Sequence, residues 1–341
     1  MLTGICANAR NSWPSAADFD DLKPQAIRTI VFDNDELDAA LQDTPPGVAV
    51  FAVMNNEHRD VGSDWSGWAQ AVERFASRFA GRVYAVECGN ESDLHGIPAD
   101  VACARTNAAL GPLQDAGILC LHGSVAGPDW QTYLAECAGL LDARVDGICL
   151  HPYGQRITIW SGRQPGFLPG MREAVVKAST ITGGKRVYVT EFGAKIQDYA
   201  IHVDPSRQAR YVTEAFAEIA ASGVAEVGFY FAWRDGVGAP NEQGINAFGL
   251  SDNDGNHRPG WDALRAVSAP PGGTMPPPAP GVGPGLLAMM TEDGTTPAQR
   301  ASTWLPLGVT PSDVEQCYGA NGTLYVWLLT TGAGHRFIPR A

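Results

Sequence analysis

Short apolar runs alternate with longer stretches of helical periodicity along most of the chain. Eight of the runs are rich in β-branched residues and bounded by polar or glycine positions, as buried strands are. Because strands separated by helices form parallel βαβ units, eight such units predict an α/β fold, a closed (β/α)8 TIM barrel. The predicted strands are Leu2–Ala7, Ile27–Phe32, Val48–Met54, Val83–Glu87, Ile118–His122, Val145–His151, Val187–Glu191 and Val227–Trp233.

Apolar residues spaced three and four apart predict the helices. One apolar stripe runs from Trp65 to Phe79, with Ser63 or Asp64 as its N-cap. Between the first two strands there is room only for a short helix. A later helix ends before Gly223, a suitable C-terminal cap.

The composition changes after the last predicted helix. Residues 269–285 read APPGGTMPPPAPGVGPG, a density of proline and glycine that indicates a linker. Residues 286–341 are too few for a large core. They contain Asn321-Gly322 between two apolar runs, which predicts a hairpin. We therefore expect a barrel at 1–268, a linker at 269–285 and a small β-rich accessory domain at 286–341.

The charge balance and the cysteines exclude several functions. The formal net charge of −13 offers no basic stripe for phosphates, so no nucleic-acid partner is expected. No apolar run reaches 18 residues, so no membrane span is expected. The seven cysteines include no CxxC pair, and neither a metal site nor a cofactor is expected. Buried free thiols and the lack of a visible signal peptide favour a cytoplasmic or a phage-associated protein.

Two acids stand where predicted strands end. Glu91 follows the fourth strand in RVYAVECGNESD, and Glu191 closes the seventh in RVYVTEFGAK. The carboxyl ends of barrel strands meet on one face, where barrel enzymes place their active sites. Two facing carboxylates are the groups that cleave a glycosidic bond. The pair therefore predicts a carbohydrate substrate.

Other strand ends carry polar and aromatic side chains. Such residues suit a sugar, because flat rings cover the apolar face of a pyranose and polar groups bind its hydroxyls. Without a role in binding, these residues would be explained by turns, core packing, a salt bridge low in the barrel or a satisfied core histidine. The candidate substrate-binding residues are Asn90, His151, Tyr153, Trp233, Arg28, Asn55, His122 and Trp13.

Five motifs in order resemble clan A glycoside hydrolases, the retaining (β/α)8 enzymes that include families 5, 30, 39 and 79. They are VECGNESD, HPYG, VTEFGA, YFAWRDG and GLSDNDGNHRPGWDALR, within residues 1–267. The resemblance implies that Glu91 is the acid/base and Glu191 the nucleophile. The chain departs from the family 5 pattern at Asn55, where that family has a histidine.

The resemblance also implies roles for the neighbouring residues. Asn90 would bind the sugar 2-hydroxyl, Tyr153 would support the nucleophile, and Trp233 would form the floor of the central sugar subsite. Arg28 would pair with the nucleophile, and Glu87 is expected to be a buried partner for Arg28 or another donor. If the two acids were not catalytic, Glu191 would be an N-cap of the following helix and Glu91 would be a loop carboxylate.

We expect a retaining glycoside hydrolase that cleaves β-glycosidic bonds of a polysaccharide or oligosaccharide. One alternative is a barrel without catalysis that binds carbohydrate or serves a structural role. Another is a phage-type glycosidase that degrades cell walls. The C-terminal unit is expected to bind polysaccharide or to mediate assembly. Short βα loops favour an open groove and endo action, while the sugar is not specified by residue types alone.

Overall fold

A computed structural model describes most of the first 268 residues and three later strands. The chain divides into two compact units, Met1–Pro280 and Gly281–Ala341. The described residues are 1–152, 170–194, 196–198, 201–202, 205–236, 248–268, 314–318, 324–330 and 334–339.

The first unit is a closed barrel of eight parallel strands, which confirms the predicted (β/α)8 fold. The closure is made by β1, which pairs with β2 on one side and β10 on the other. Two short strands, β8 and β9, form a separate antiparallel pair. The strands are β1 Leu2–Ala7, β2 Ala26–Ile30, β3 Ala49–Met54, β4 Ala85–Cys88, β5 Leu119–Val125, β6 Gly147–Leu150, β7 Arg186–Phe192, β8 Gln197–Asp198, β9 Ile201–His202 and β10 Ala225–Tyr230.

Eight α-helices lie in the described residues. They are α1 Ala16–Leu22, α2 Asn34–Gln42, α3 Trp68–Phe79, α4 Ala99–Asp115, α5 Trp130–Ala138, α6 Met171–Ile181, α7 Pro205–Ala221 and α8 Pro259–Ser268. As expected, α1 is short. The N-cap of α3 is Gly67 rather than Ser63 or Asp64. The Asp64 carboxylate instead accepts a hydrogen bond from the Ser66 amide, a local turn contact that competes with capping.

The barrel interior is filled at its amino-terminal end by aromatic rings. The Phe51 ring lies 4.9 Å from that of Phe229 and 6.0 Å from that of Tyr188. Two glycines make room for these rings. A Cβ atom at Gly4 would lie 2.5 Å from the Phe229 ring, and one at Gly147 would lie 2.4 Å from the Tyr188 ring. Packing of this kind leaves the opposite end of the barrel for polar side chains.

The second unit contains an antiparallel sheet in the order β11-β12-β13. Its strands are β11 Val314–Tyr318, β12 Leu324–Thr330 and β13 Gly334–Pro339. The strands that flank Asn321-Gly322 pair with each other, while those two residues lie outside the described ones. The limits proposed for the linker and the accessory domain also lie there and stay predictions. In the part of the chain that is described, no helix has the length and apolarity to cross a bilayer.

Candidate active site

A sharp turn after β4 places Glu91 at the carboxyl end of the barrel. Gly89 has a φ of 116°, and Glu91 itself has a left-handed φ of 49°. The turn packs closely against β5, because a Cβ atom at Gly123 would lie 2.7 Å from the Cys88 carbonyl oxygen. The Glu91 amide donates to Ser124 Oγ at 2.9 Å. A non-glycine residue held in this conformation by its neighbours is typical of functional sites.

Glu191 reaches the same space from β7. Between β7 and β10 the partners change from Val189 with Gly228 to Phe192 with Tyr230, so β7 has one extra residue there. Such a bulge re-aims side chains next to it. One carboxylate oxygen of Glu191 lies within 4.8 Å of one from Glu91. The two acids that the sequence placed at strand ends are therefore brought face to face.

Arg28, on β2, joins the acids into one network. Its Nε donates to Glu87 Oε2 at 2.8 Å and its Nη1 to Glu191 Oε2 at 3.1 Å. Its Nη2 donates to Asn90 Oδ1 at 2.8 Å. The side chain is only 3% exposed, and that of Glu87 only 1%. The arrangement places Glu87 as the buried partner of Arg28, where the sequence analysis expected it.

His151, just after β6, lies between the two facing acids. Its Nδ1 is 2.9 Å from Glu91 Oε1 and 3.8 Å from Glu191 Oε2. Its Nε2 is 3.1 Å from Thr190 Oγ1. Thr190 Oγ1 in turn is within 3.4 Å of Glu87 Oε1. A continuous path of polar atoms thus runs from Glu91 through His151 and Thr190 to Glu87.

The charges around Arg28 and Glu91 shift their pKa values. Burial opposes the charge of Arg28, but Glu87 and Glu191 raise its pKa well above the ordinary value. Burial alone would raise the pKa of Glu91; the hydrogen bond and charge of His151, helped by Arg28, outweigh it and lower that pKa. A general acid is expected to have a raised pKa, so the lowered pKa of Glu91 differs from what its proposed role leads one to expect.

Glu91, His151 and Glu191 are also close enough to ligate one cation. Arg28 already donates to Glu191 Oε2. A second positive charge at that oxygen would be repelled by the guanidinium. The arrangement suits two carboxylates and an arginine better than a metal.

Two of the expected substrate-binding residues have other partners. His122 points away from the barrel interior and its Nδ1 contacts Thr106 Oγ1 of α4 at 2.9 Å, because alternate residues of β5 face opposite sides. Burial lowers the pKa of His122 to about 4. Asn55 lies after β3 as expected, but both ends of its amide are bonded to Glu57. The structure therefore does not bring His122 to the acids.

The expected aromatic residues lie mostly in the core. Trp233 is 4% exposed and its Nε1 donates to the Ser12 carbonyl oxygen at 3.0 Å. Its ring also packs against Trp261, so it cannot present an open face to a sugar here. Trp13 is half-buried against the same core. Tyr153 lies outside the described residues.

Two residues that the sequence analysis did not single out complete the site. Ser124 binds the Glu91 backbone through Oγ, and its own amide donates to Glu87 Oε1 at 3.2 Å. Thr190 is fully buried beside His151. Ser124 lies at a second bulge, where β5 advances three residues from His122 while β6 advances two. Regular alternation does not predict bulges; the one available signal was the small pair Gly123-Ser124 near a strand end.

No model of a known protein family matches the chain, and no curated protein matches it. Solved structures do. A β-glucuronidase from an uncultured Clostridium matches with a TM-score of 0.55 at 13% identity, over 78% of this chain and 50% of that one. This chain thus spans half the length of that protein.

Two further matches are glycoside hydrolases. The GH5_18 protein from Streptomyces cattleya, solved in complex with Manβ1-4GlcNAc, has a TM-score of 0.60 at 15% identity, covering 78% of this chain and 80% of that one. A family 39 glycoside hydrolase from the gut symbiont Bacteroides cellulosilyticus WH2 matches with a TM-score of 0.57 at 16% identity, over 78% of this chain and 63% of that one. The first unit of this chain therefore has the (β/α)8 barrel fold seen in these glycoside hydrolases.

Proposed function

We propose that the protein is a retaining glycosidase that hydrolyses β-glycosidic bonds of an oligosaccharide or polysaccharide. The observation that carries this proposal is the approach of Glu91 and Glu191, since one carboxylate oxygen of the first lies within 4.8 Å of one oxygen of the second. Retaining enzymes hold their carboxyl groups about 5–5.5 Å apart, whereas inverting enzymes leave room for a water at about 6.5–9.5 Å. The short separation favours direct attack on the sugar.

Glu191 is the nucleophile in this proposal. Its carboxylate oxygen bonds to the anomeric carbon as the bond to the leaving oxygen breaks, which gives a covalent glycosyl ester. A nucleophilic carboxylate has to be ionised. Arg28 donates to Oε2 at 3.1 Å and so orients the carboxylate for attack.

Glu91 gives its proton to the leaving oxygen in the first step and takes one from water in the second. A protonated Glu91 requires His151 to accept at Nδ1. The ring hydrogen would then be on Nε2, where Thr190 Oγ1 lies 3.1 Å away. The buried path from His151 to Glu87 provides acceptors for this second tautomer. His151 thus sets the fraction of Glu91 that is protonated.

Asn90 binds the sugar in this proposal. Its Oδ1 already accepts from Arg28, so the amide nitrogen is the end that is turned to the substrate. An NH2 group can donate to the 2-hydroxyl, a contact that strengthens in the transition state. Tyr153 and Trp13 remain candidates for substrate contacts.

Azide rescue of two alanine variants tests the roles of the two acids. With a dinitrophenyl β-glycoside, Glu91→Ala should form the glycosyl ester and then transfer the sugar to azide with retained anomeric configuration. Glu191→Ala should react with azide directly and give the inverted product. NMR of the glycosyl azide distinguishes the two anomers. If each variant gives the opposite anomer, the roles of Glu91 and Glu191 are exchanged. If azide rescues neither variant, both assigned roles are rejected.

Glu191→Gln tests whether the barrel is catalytic at all. We expect turnover of chromogenic β-glucosides, mannosides, xylosides, galactosides and fucosides to fall by about 10³-fold or more for whichever is cleaved. Glu73→Gln, an exposed glutamate of α3, is the matched control and should keep full activity. Unchanged turnover by Glu191→Gln would exclude Glu191 as the nucleophile, and a wild type that cleaves none of these glycosides would leave the carbohydrate-binding alternative.

A further inference from the structure

Three buried side chains converge outside the cleft, between the barrel and its helices. Cys103 lies on α4, His122 on β5 and Cys137 on α5. The two sulfur atoms and one ring nitrogen of His122 lie within 4.8 Å of one another. None of the three is more than 1% exposed. Three elements thus bring two soft sulfur ligands and one imidazole to one point.

The hydrogen bonds of Thr106 determine which nitrogen of His122 carries the proton. The Thr106 hydroxyl has one hydrogen, which it donates to the Ala102 carbonyl oxygen at 3.1 Å. Its oxygen therefore accepts from Nδ1–H of His122 at 2.9 Å. The lone pair is then on Nε2. A metal-bound histidine is usually held in this way, by a bond from its other ring nitrogen.

The Nε2 atom of His122 is buried, and no group among the described residues forms a hydrogen bond with it. An unpaired acceptor in an apolar layer is destabilising. The His122 ring belongs to the same cluster as the sulfurs of Cys103 and Cys137, so a cation bound by Nε2 and the two sulfurs would satisfy this nitrogen.

We propose that Cys103, His122 and Cys137 form a binding site for a thiophilic closed-shell cation, Zn²⁺ or Cu⁺. Thiolate and imidazole ligands select these ions over Mg²⁺ or Ca²⁺. Zinc bond lengths of about 2.3 Å to sulfur and about 2.0–2.1 Å to nitrogen set ligand atoms roughly 3.5–3.8 Å apart. The cluster reaches that spacing by a contraction of about 1 Å or less.

A pocket on the protein surface lies beside the two helices that carry the cysteines of the cluster. This pocket of about 650 Å³ is lined by Ala99, one turn before Cys103, and by Glu136, next to Cys137. When Zn²⁺ binds, each thiol loses its proton and forms a metal–sulfur bond. Two protons are released, and the two thiolates neutralise the ion in its apolar surroundings.

Such an ion would join β5 to the two helices outside it. His122 is two residues before Ser124, whose Oγ holds the Glu91 backbone. The site would thus stabilise the end of β5 on which the turn after β4 rests. This inference does not depend on the proposed glycosidase activity.

Elemental analysis of the full-length protein tests the site. The purified chain is reduced, stripped with a chelator and dialysed against Zn²⁺ in one arm and Cu⁺ in the other. We expect about one ion per chain in at least one arm, about two protons released per Zn²⁺, and a rise in Tm of roughly 5 °C at an excess of about 100 times Kd. The arm that retains the ion at the lower free concentration identifies the cation.

Variants separate this site from unspecific thiol binding. Cys103→Ser, Cys137→Ser and His122→Gln should each lower the bound metal at least tenfold. Cys88→Ala, which removes a buried cysteine of β4, should retain it. Fewer than about 0.1 ions bound per wild-type chain would overturn the proposal. Equal binding by all four variants would overturn it as well. So would a Cys103–Cys137 disulfide that persists in the protein after reduction.

Discussion

Arg28→Met should destabilise the barrel, because it leaves Glu87 as a buried charge. The Glu87 side chain is 1% exposed. Without Arg28 it retains the hydrogen bonds from the Ser124 amide and Thr190 Oγ1 but loses its cation at 2.8 Å. Removing one partner of a buried ion pair typically costs about 3–5 kcal/mol. We expect a free energy of unfolding lower by about that amount, and a Tm lower by roughly 10 °C.

The double variant Arg28→Met/Glu87→Leu should recover most of that loss, since apolar residues of similar size can replace a buried ion pair at little cost. The activity should not recover. Arg28 also donates to Glu191 and Asn90, and both contacts are absent from either variant. We expect turnover at least about 100-fold below that of the wild type in both.

Urea unfolding followed by tryptophan fluorescence measures the stability, and aryl β-glycoside turnover measures the activity. Arg74→Met is the matched control, because its ion pair with Asp60 is exposed and should contribute less than about 1 kcal/mol. A loss below about 1 kcal/mol for Arg28→Met would refute the reasoning. So would a double variant as unstable as the sum of the two single ones, because the pair would then not be coupled.

Three other substitutions test separate parts of the structure. His151→Gln removes the contact that lowers the pKa of Glu91; because a general acid works while protonated, the alkaline limb of kcat/KM should move to higher pH, and an unmoved limb would contradict the role of His151. Trp233→Phe should lower the free energy of unfolding by about 2 kcal/mol and change KM less than about threefold, measured by urea unfolding and steady-state kinetics; a large KM effect on an unchanged stability would instead indicate a sugar subsite. Gly123→Ala should lower kcat by about 100-fold, since its Cβ atom would meet backbone at 2.7 Å, whereas Gly111→Ala in the open middle of α4 should be neutral or stabilising.

The parts predicted well from the sequence are those set by period and order. Each barrel strand appears as an apolar run, so the fold and the strand-end position of Glu91 and Glu191 follow from the pattern. The orientation of residues next to bulges does not follow from the pattern. Ser124 and Thr190 face the acids because β5 and β7 each carry an extra residue. Regular alternation cannot predict such a change of face.

The orientation of His122 and Trp233 was also beyond the pattern. The sequence pattern predicts that both residues end strands, whereas His122 lies inside β5 and Trp233 lies just beyond β10. His122 contacts Thr106 in the helix layer, and Trp233 packs in the core. The strand end determines how far along the barrel axis a residue lies. The local register determines whether its side chain points to the barrel interior or to the helices.

The left-handed backbone at Glu91 lowers the stability of the fold at the residue proposed as the acid/base. At a φ of 49° glycine or asparagine would be more comfortable than glutamate, by about 1–3 kcal/mol. If Glu91 is the proposed acid/base, variants that are no longer selected for hydrolysis would therefore gain stability by a mutation at this one position. More stable homologues without hydrolase activity should carry glycine or asparagine at this position. Laboratory selection for thermostability alone should yield the same substitutions.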